Sequence, residues 1–249
     1  MTERQVRLHV DQPLGQGQAV ALAEGQANYL FAVMRLPVGA MVTLFNGRDG
    51  EWRAEVAEAA KRRGTLVCRA MTRAQDLPPD LWLVFAPVRK ERTAFLVEKA
   101  VDLGVRRLVP VATRYTNAER LRADKSRAHA IEAAEQCGAT YVPDLAEVRP
   151  LDRLLADWPA DRRLFWADET RAGGGGDADA DADAGWPAGP VGPAAILIGP
   201  EGGFSDEEKA RLRGLPFVTA IALGPRILRA ETAAIAALAL WQARYGDWR

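Results

Sequence analysis

Little in this chain of 249 residues lends itself to metal or thiol chemistry. Its two cysteines, Cys68 and Cys137, and its two histidines, His9 and His129, stand far apart. None has the spacing of a metal-binding motif, so no metal is expected, and isolated thiols fit a reducing compartment. The histidines read as packing or surface residues rather than catalytic bases. Long apolar runs are also missing. The longest, around Ala233–Trp241, falls far short of a membrane span, and the opening "MTERQVRLHV" has no apolar signal core. A cytoplasmic protein with no membrane attachment is therefore expected. Phosphate-binding fingerprints are absent too: no Gly-Lys-Ser/Thr follows a glycine loop, and no dinucleotide spacing of glycines occurs.

Net charge is the last absence, with 33 Lys and Arg against 33 Asp and Glu. The balance hides blocks. Arg89, Lys90, Arg92, Lys99, Arg106, Arg107, Arg114, Arg120, Arg122, Lys125 and Arg127 face few acids, and Lys61–Arg73 contains none. Acid gathers elsewhere, at Asp177, Asp179, Asp181 and Asp183. Such blocks suit an RNA partner; a solvated helix face accounts for them equally well.

The chain changes character near residue 73. Before it, short strand-like runs ("VRLHV", "AMVTLFN", "EWRAEVAEA", "TLVCRAM") alternate with turn signals such as "GRDG" and "KRRG", the pattern of a small β-barrel over residues 1–73. The polar, proline-bearing "TRAQDLPPD" reads as a linker. In residues 74–249, buried-strand runs ("LWLVFAP", "RRLVPVAT", "RLFWADE", "AAILIGP", "FVTAIALGP") alternate with helices closed by glycine. That order predicts an α/β domain with a mostly parallel sheet covered on both faces. Residues 171–193, rich in Gly, Ala, Asp and Pro, have little to bury and are expected to form a disordered insertion.

Two glycine–proline turns carry the chemistry. In "LIGPEGGFSDEE", Ser205 and Glu208 have the capping-box spacing, so the acidic cluster has a structural explanation. Glu201 lies before that cap, among Gly199, Gly202 and Gly203, which permit close backbone approach. A carboxylate there repels a triphosphate but tolerates a neutral or cationic ligand. A tight turn with an exposed glutamate is the alternative. The second turn, "IALGPRILRAETAAIAAL", again ends a strand in Gly224-Pro225 and adds Arg226, Arg229 and Glu231. Loops at the carboxyl ends of parallel strands are where such sheets bind ligands, and the arginines suit phosphate or RNA.

Together "LIGPEGGFSDEE" and "LGPRILRAETA" resemble the signature of the ribosomal RNA small subunit methyltransferase E family, in the SPOUT class. The likeness extends through "KERTAFLVEKAVDLGVRRLVPV", "EAAEQCG", "RLHVD" and "MRLPVGAMVTLFNGRDGEW", nearly the whole chain outside the Asp–Ala stretch. It implies a PUA-like barrel that binds RNA, and a trefoil-knotted SPOUT domain in a homodimer. The implied reaction is S-adenosyl-L-methionine-dependent methylation of uridine N3 in 16S rRNA of the small ribosomal subunit. It also implies a cofactor pocket built from Ala167 and Glu169, from Ile198, Gly199, Pro200, Glu201, Gly202 and Gly203, and from Leu223, Gly224, Ile227, Leu228, Arg229 and Ala230. The sulfonium is cationic and carries no phosphate, which is compatible with Glu201. For the reaction, Arg226 or Arg229 would favour an anionic base, and Glu201 or Glu231 would accept the proton. Arg7, Arg35, Arg89 and Lys90 are candidate RNA contacts. The chain departs from the family pattern at Ala139, where an arginine is common, and at Asn28-Tyr29, where a histidine is. Rival readings are a methyltransferase on another RNA or on a ribose 2′-oxygen, and a noncatalytic RNA-binding assembly factor.

Overall fold

A computed structural model describes residues 6–116, 121–172 and 185–248. The chain forms two compact units: one runs to Leu77 and takes in Ala134–Val142, and the other comprises Pro78–Ala133 and the chain from Pro143 onward. The segment Ala134–Val142, expected in the second domain, thus packs with the first.

The first unit is a five-stranded sheet of β1 (Arg7–His9), β2 (Ala19–Ala21), β3 (Met41–Phe45), β4 (Glu51–Ala60) and β5 (Arg63–Arg73), ordered β1-β3-β4-β5-β2. Only β1 and β3 run parallel; the other pairs are antiparallel. Alternation builds its core: Trp52, Ala54 and Val56 point inward from β4, and Leu66 and Cys68 from β5. β2 lies in a stretch that reads as a glycine-rich turn; three residues are too few to show a period. The helical piece after it is split into α1 (Glu24–Ala27) and a π-helical turn over Asn28–Val33. Arg35 follows with φ 57°, a left-handed conformation uncommon outside glycine.

Arg7 belongs to this unit's framework. Its guanidinium pairs with Glu51 and donates to Ala139 O at 2.8 Å, while Arg73 reaches Glu51 and Gly138 O. Two arginines from the sheet thus hold the carbonyls at positions 138 and 139.

The second unit contains β6 (Leu81–Phe85), α2 (Lys90–Asp102), β7 (Arg107–Ala112), β8 (Asp144–Leu145), β9 (Arg149–Pro150), α4 (Leu151–Ala156), β10 (Arg163–Ala167), β11 (Ala194–Ile198), α5 (Asp206–Arg213), β12 (Val218–Ile221) and α6 (Ala230–Tyr245). α3 (Ala123–Cys137) begins here, and its last turn belongs to the first unit. The strands are parallel throughout, ordered β12-β10-β11-β6-β7-β8, with β9 also on β7. β11 is buried at every position, as a central strand covered on both faces must be. Trp166 joins Leu154, Phe204 and Leu212 on one face. Its neighbour Phe165 turns the other way and stacks on Tyr245 of α6, ring centroids 6.3 Å apart.

The expectation of disorder over 171–193 fails at its far end. Trp186 is buried and stacks on Phe165 at 5.3 Å, and Pro187 O accepts from the Tyr245 hydroxyl at 2.6 Å. One tryptophan supplies the apolar area that the surrounding composition lacks. Residues 173–184, including the alternating Asp–Ala run, lie outside the described residues.

Burial alone would raise the Glu51 carboxyl, but donation from Arg7 and Thr72, with the charges of Arg7 and Arg73, outweighs it and holds the group below the usual carboxylate range. A depressed folded value stabilises above the unfolded pKa and is lost as pH falls through the folded one. Glu51→Gln should therefore destabilise the first unit by about 1–3 kcal/mol at neutral pH. The gap to wild type should narrow as pH drops below the carboxylate range, read from urea midpoints at each pH.

Candidate active site

Parallel strands all end at one edge, and here four of them end level. Phe85 pairs with Ile198, Trp166 with Leu197 and Ala167 with Ile221. The loops leaving β6, β10, β11 and β12 therefore open side by side.

Three of these loops are shaped by specific contacts. After β6, buried Thr93 ties the turn into α2: its hydroxyl accepts from Val88 N at 3.0 Å and donates to Val88 O at 2.9 Å. After β10, buried Asp168 accepts from Thr170 N and Oγ1 at 3.0 and 2.7 Å and faces Arg213 at 3.2 Å. Glu169 pairs with Lys209 at 2.9 Å, and that hydrogen bond raises the Lys209 ammonium above its ordinary value. After β11, Ser205 caps α5: its hydroxyl accepts from Glu208 N at 3.2 Å, and Ser205 N donates to Glu208 Oε2 at 2.8 Å. The acidic cluster is structural in this sense, and Glu208 also accepts from Arg114 N at 2.9 Å.

The glycines of "GPEGG" answer to crowding. A Cβ on Gly199 would meet Phe204 at 2.7 Å, one on Gly202 would meet Tyr115 at 3.0 Å, and one on Gly203 would meet Glu169 Oε1 at 2.6 Å. Gly203 also has φ +69°, which a side chain rarely adopts.

Between the β10 and β12 loops lies a small pocket, open to solvent. Of the residues expected to hold a cofactor, Ala167, Glu169, Leu223, Gly224, Ile227 and Leu228 line it, and Arg226 stands on its wall. Ile198, Gly199, Pro200, Glu201, Gly202 and Gly203 are outside that lining, as are Arg229 and Ala230, although Gly203 touches Glu169. Arg226 and Arg229 are exposed, and among the described residues neither has an ion-pair partner. Glu201 and Glu231 lie on either side of Arg92: Arg92 Nη1 is 3.7 Å from Glu201 Oε1, and its Nε is 3.7 Å from Glu231 Oε1. Arg35, Arg89 and Lys90 are exposed, whereas Arg7 is engaged within the first unit.

Arg92 and Lys209 lie against these loops without any signal in the sequence, whereas Asp168 falls within the Ala167–Thr170 loop expected to hold the cofactor. Arg92 and Lys209 look like helix-surface charges, and their carboxylate partners are remote in sequence. Asp168 had a weak local signal, an Asx-type spacing to Thr170. No group of three or more His, Cys, Asp and Glu among the described residues is placed to hold a metal, and no described helix is long and apolar enough to cross a membrane.

Residues 75–242 match the family model of an RNA methyltransferase domain, and residues 22–67 match the PUA domain of RNA methyltransferases. The chain belongs to this RNA methyltransferase family. It is similar over its whole length to the ribosomal RNA small subunit methyltransferase E of Rickettsia conorii, 25% identical across 94% of this chain and 93% of that one. Among solved structures it resembles the Neisseria gonorrhoeae ribosomal RNA small subunit methyltransferase E bound to S-adenosyl methionine, at TM-score 0.82 and 25% identity, covering 99% of this chain and 100% of that one. A Legionella pneumophila protein in complex with the same cofactor is similar at TM-score 0.82 and 29% identity, covering 98% and 100%.

Gly203→Ala should lower stability by about 1–3 kcal/mol through its positive φ. Gly214→Ala should cost less, since φ there is −82° and the nearest atom would be 3.5 Å away. Denaturant midpoints of the two variants test the difference.

Proposed function

We propose that the protein uses S-adenosyl-L-methionine to methylate N3 of one uridine in 16S rRNA of the small ribosomal subunit. The observation that carries this reading is the meeting of apolar walls with the unpaired Arg226 in a pocket at the level ends of β10 and β12. Ala167, Ile221, Leu223, Leu228 and Ala233 offer apolar walls suited to a purine ring. The pocket contains no lysine–glycine phosphate cradle, and the nearby carboxylates suit a cationic rather than a polyphosphate ligand. These residues fit the cofactor, so the β10, β11 and β12 loops are assigned to hold it.

When bound, the cofactor supplies a methyl group on a positive sulfur. The chain must align uridine N3 behind that carbon and remove its proton as the N–C bond forms and the C–S bond breaks. Alignment is the larger part, because opposite charges are consumed in the transition state if N3 attacks as an anion. Arg226 and Arg229 are free to stabilise that anion, and Glu201 and Glu231 are the carboxylates within reach of the same loops. N3 lies on the pairing edge, so the uridine must be unpaired or swung out.

The same reading extends to organisation. The first unit serves as a PUA-like barrel binding RNA with Arg35, while Arg89 and Lys90 contact RNA from the start of α2. A trefoil knot belongs to the same reading; α6, which follows the edge strand β12, packs on α2 and central β11. A homodimer is supported by exposed Ile227 and half-exposed Ile235, Ala236, Ala239 and Leu240. A ribosomal substrate sets the protein in the cytoplasm.

The test is incubation with unmodified small subunits and labelled cofactor, followed by nucleoside analysis. Labelled 3-methyluridine at a single site is expected, and a labelled ribose ether would replace this reading with 2′-O-methylation. Arg226→Ala or Arg229→Ala should lower turnover about 100-fold; full turnover in both removes the arginine role.

A further inference from the structure

Arg92 occupies an odd place. It lies in the first turn of α2, behind Arg89 at the N-cap and Lys90. Positive charge at a helix N-terminus opposes the macrodipole, so helix stability does not explain it. What Arg92 does touch is two carboxylates carried by different loops. Glu231 sits on the first turn of rigid α6 with its side chain 14% exposed, and Glu201 sits on the glycine loop at 44%. Both contacts are 3.7 Å, close enough for charge pairing yet too long to be hydrogen bonds. Arg92 therefore restrains Glu201 without occupying its lone pairs.

The two carboxylates are not equivalent. Glu231 Oε2 is closed to solvent and has no hydrogen-bond donor among the described residues. With 14% of its side chain exposed against 44% for Glu201, Glu231 is the less accessible of the two to a uridine N–H. Glu201 is accessible, and its loop is kept thin by glycines. The trio of Arg92, Glu201 and Glu231 carries a formal charge of about −1 at neutral pH, so taking up one proton brings it to neutrality. An isolated Arg–Glu pair would instead become positive beside a cationic cofactor.

We propose that Glu201 is the group that takes the uridine N3 proton, and that Arg92, anchored by Glu231, is the positioning residue that holds it there. This rests on the uridine N3 reading above and chooses between the two carboxylates that reading leaves open. The proton passes from N3 to a Glu201 oxygen, the N3 electron pair forms the bond to the methyl carbon, and the sulfur leaves as a neutral thioether. Other ionisable groups around the loop are Tyr115 against Gly202, Glu169 with Lys209 beyond Gly203, and Arg226 and Arg229 on the β12–α6 loop. None of them bridges the two carboxylates.

The charges give opposite signs for two neutral variants. Arg92→Gln removes a positive neighbour and should make Glu201 more basic, moving the acid limb of the kcat profile up by about one pH unit. Glu231→Gln removes a negative neighbour and should move it down. Glu201→Gln should lower kcat roughly 100-fold or more and abolish the limb, and Arg92→Lys should restore part of what Arg92→Gln loses. Calorimetric titration with S-adenosylhomocysteine reports folding and pocket integrity independently, and the Arg92 and Glu231 variants should bind it within a few-fold of wild type. A wild type that makes 3-methyluridine while Arg92→Gln and Glu231→Gln keep its acid limb would overturn this assignment and leave the uridine reading standing. The same holds if their losses appear only in RNA KM. A wild type that makes no 3-methyluridine sinks both.

Discussion

The parallel sheet of the second unit sets everything that follows. A parallel strand cannot turn back beside its neighbour; it must cross over and return at the other end, so all the strand ends that leave for a loop gather on one edge. The register fixes how level they are. Phe85 opposite Ile198, and Ala167 opposite Ile221, bring the β6, β11, β10 and β12 loops to the same height. The chain fills β6, β7 and β8 toward one side, then crosses to β10, inserts β11 beside β6 and ends outside at β12. A cleft is the ordinary consequence of such a reversal. Sites far apart in sequence, from Arg92 to Glu231, become neighbours for this reason alone.

What fills the cleft is decided by electrostatics rather than shape. The acidic groups near the pocket each have a counter-ion among the described residues: Glu169 has Lys209, Asp168 has Arg213, and Glu201 and Glu231 share Arg92. Paired groups need no ligand charge to satisfy them and attract a polyphosphate poorly. The two arginines left over stand on the β12–α6 loop, where they are available to an anion that arrives with the substrate. Neutralised walls and a small positive surplus at one place suit a cationic cofactor beside a polyanionic RNA.

The features legible in the sequence were those with a local cause. Alternating apolar runs and closing glycines gave the α/β order, and the Ser205–Glu208 spacing gave the cap on α5, because each depends on residues within a turn of one another. Arg7 looked like an exposed RNA contact because the sequence does not show that Glu51 and the carbonyl of Ala139 lie beside it. Arg92 looked like one basic residue in a basic block for the same reason. β2 was too short to carry a period, and Trp186 sat in a composition that predicts nothing to bury. Glu201 was legible as unusual but not as paired. Its partner is over a hundred residues away, and only the folded sheet joins them.

The end of α3 shows how a helix terminus can be satisfied from a remote strand. The end of α3 exposes carbonyls that need donors. With Ala139 no side chain at that position can supply one, and the backbone at 138 and 139 instead accepts from Arg7 and Arg73. Those arginines are in turn held by Glu51, whose carboxylate meets both. The requirement is for positive donors at a helix end, and a β-strand can meet it as well as the next residue in the chain. It also explains why Arg7, basic and near the N-terminus, contributes to the framework of the first unit and is not free to seek a phosphate.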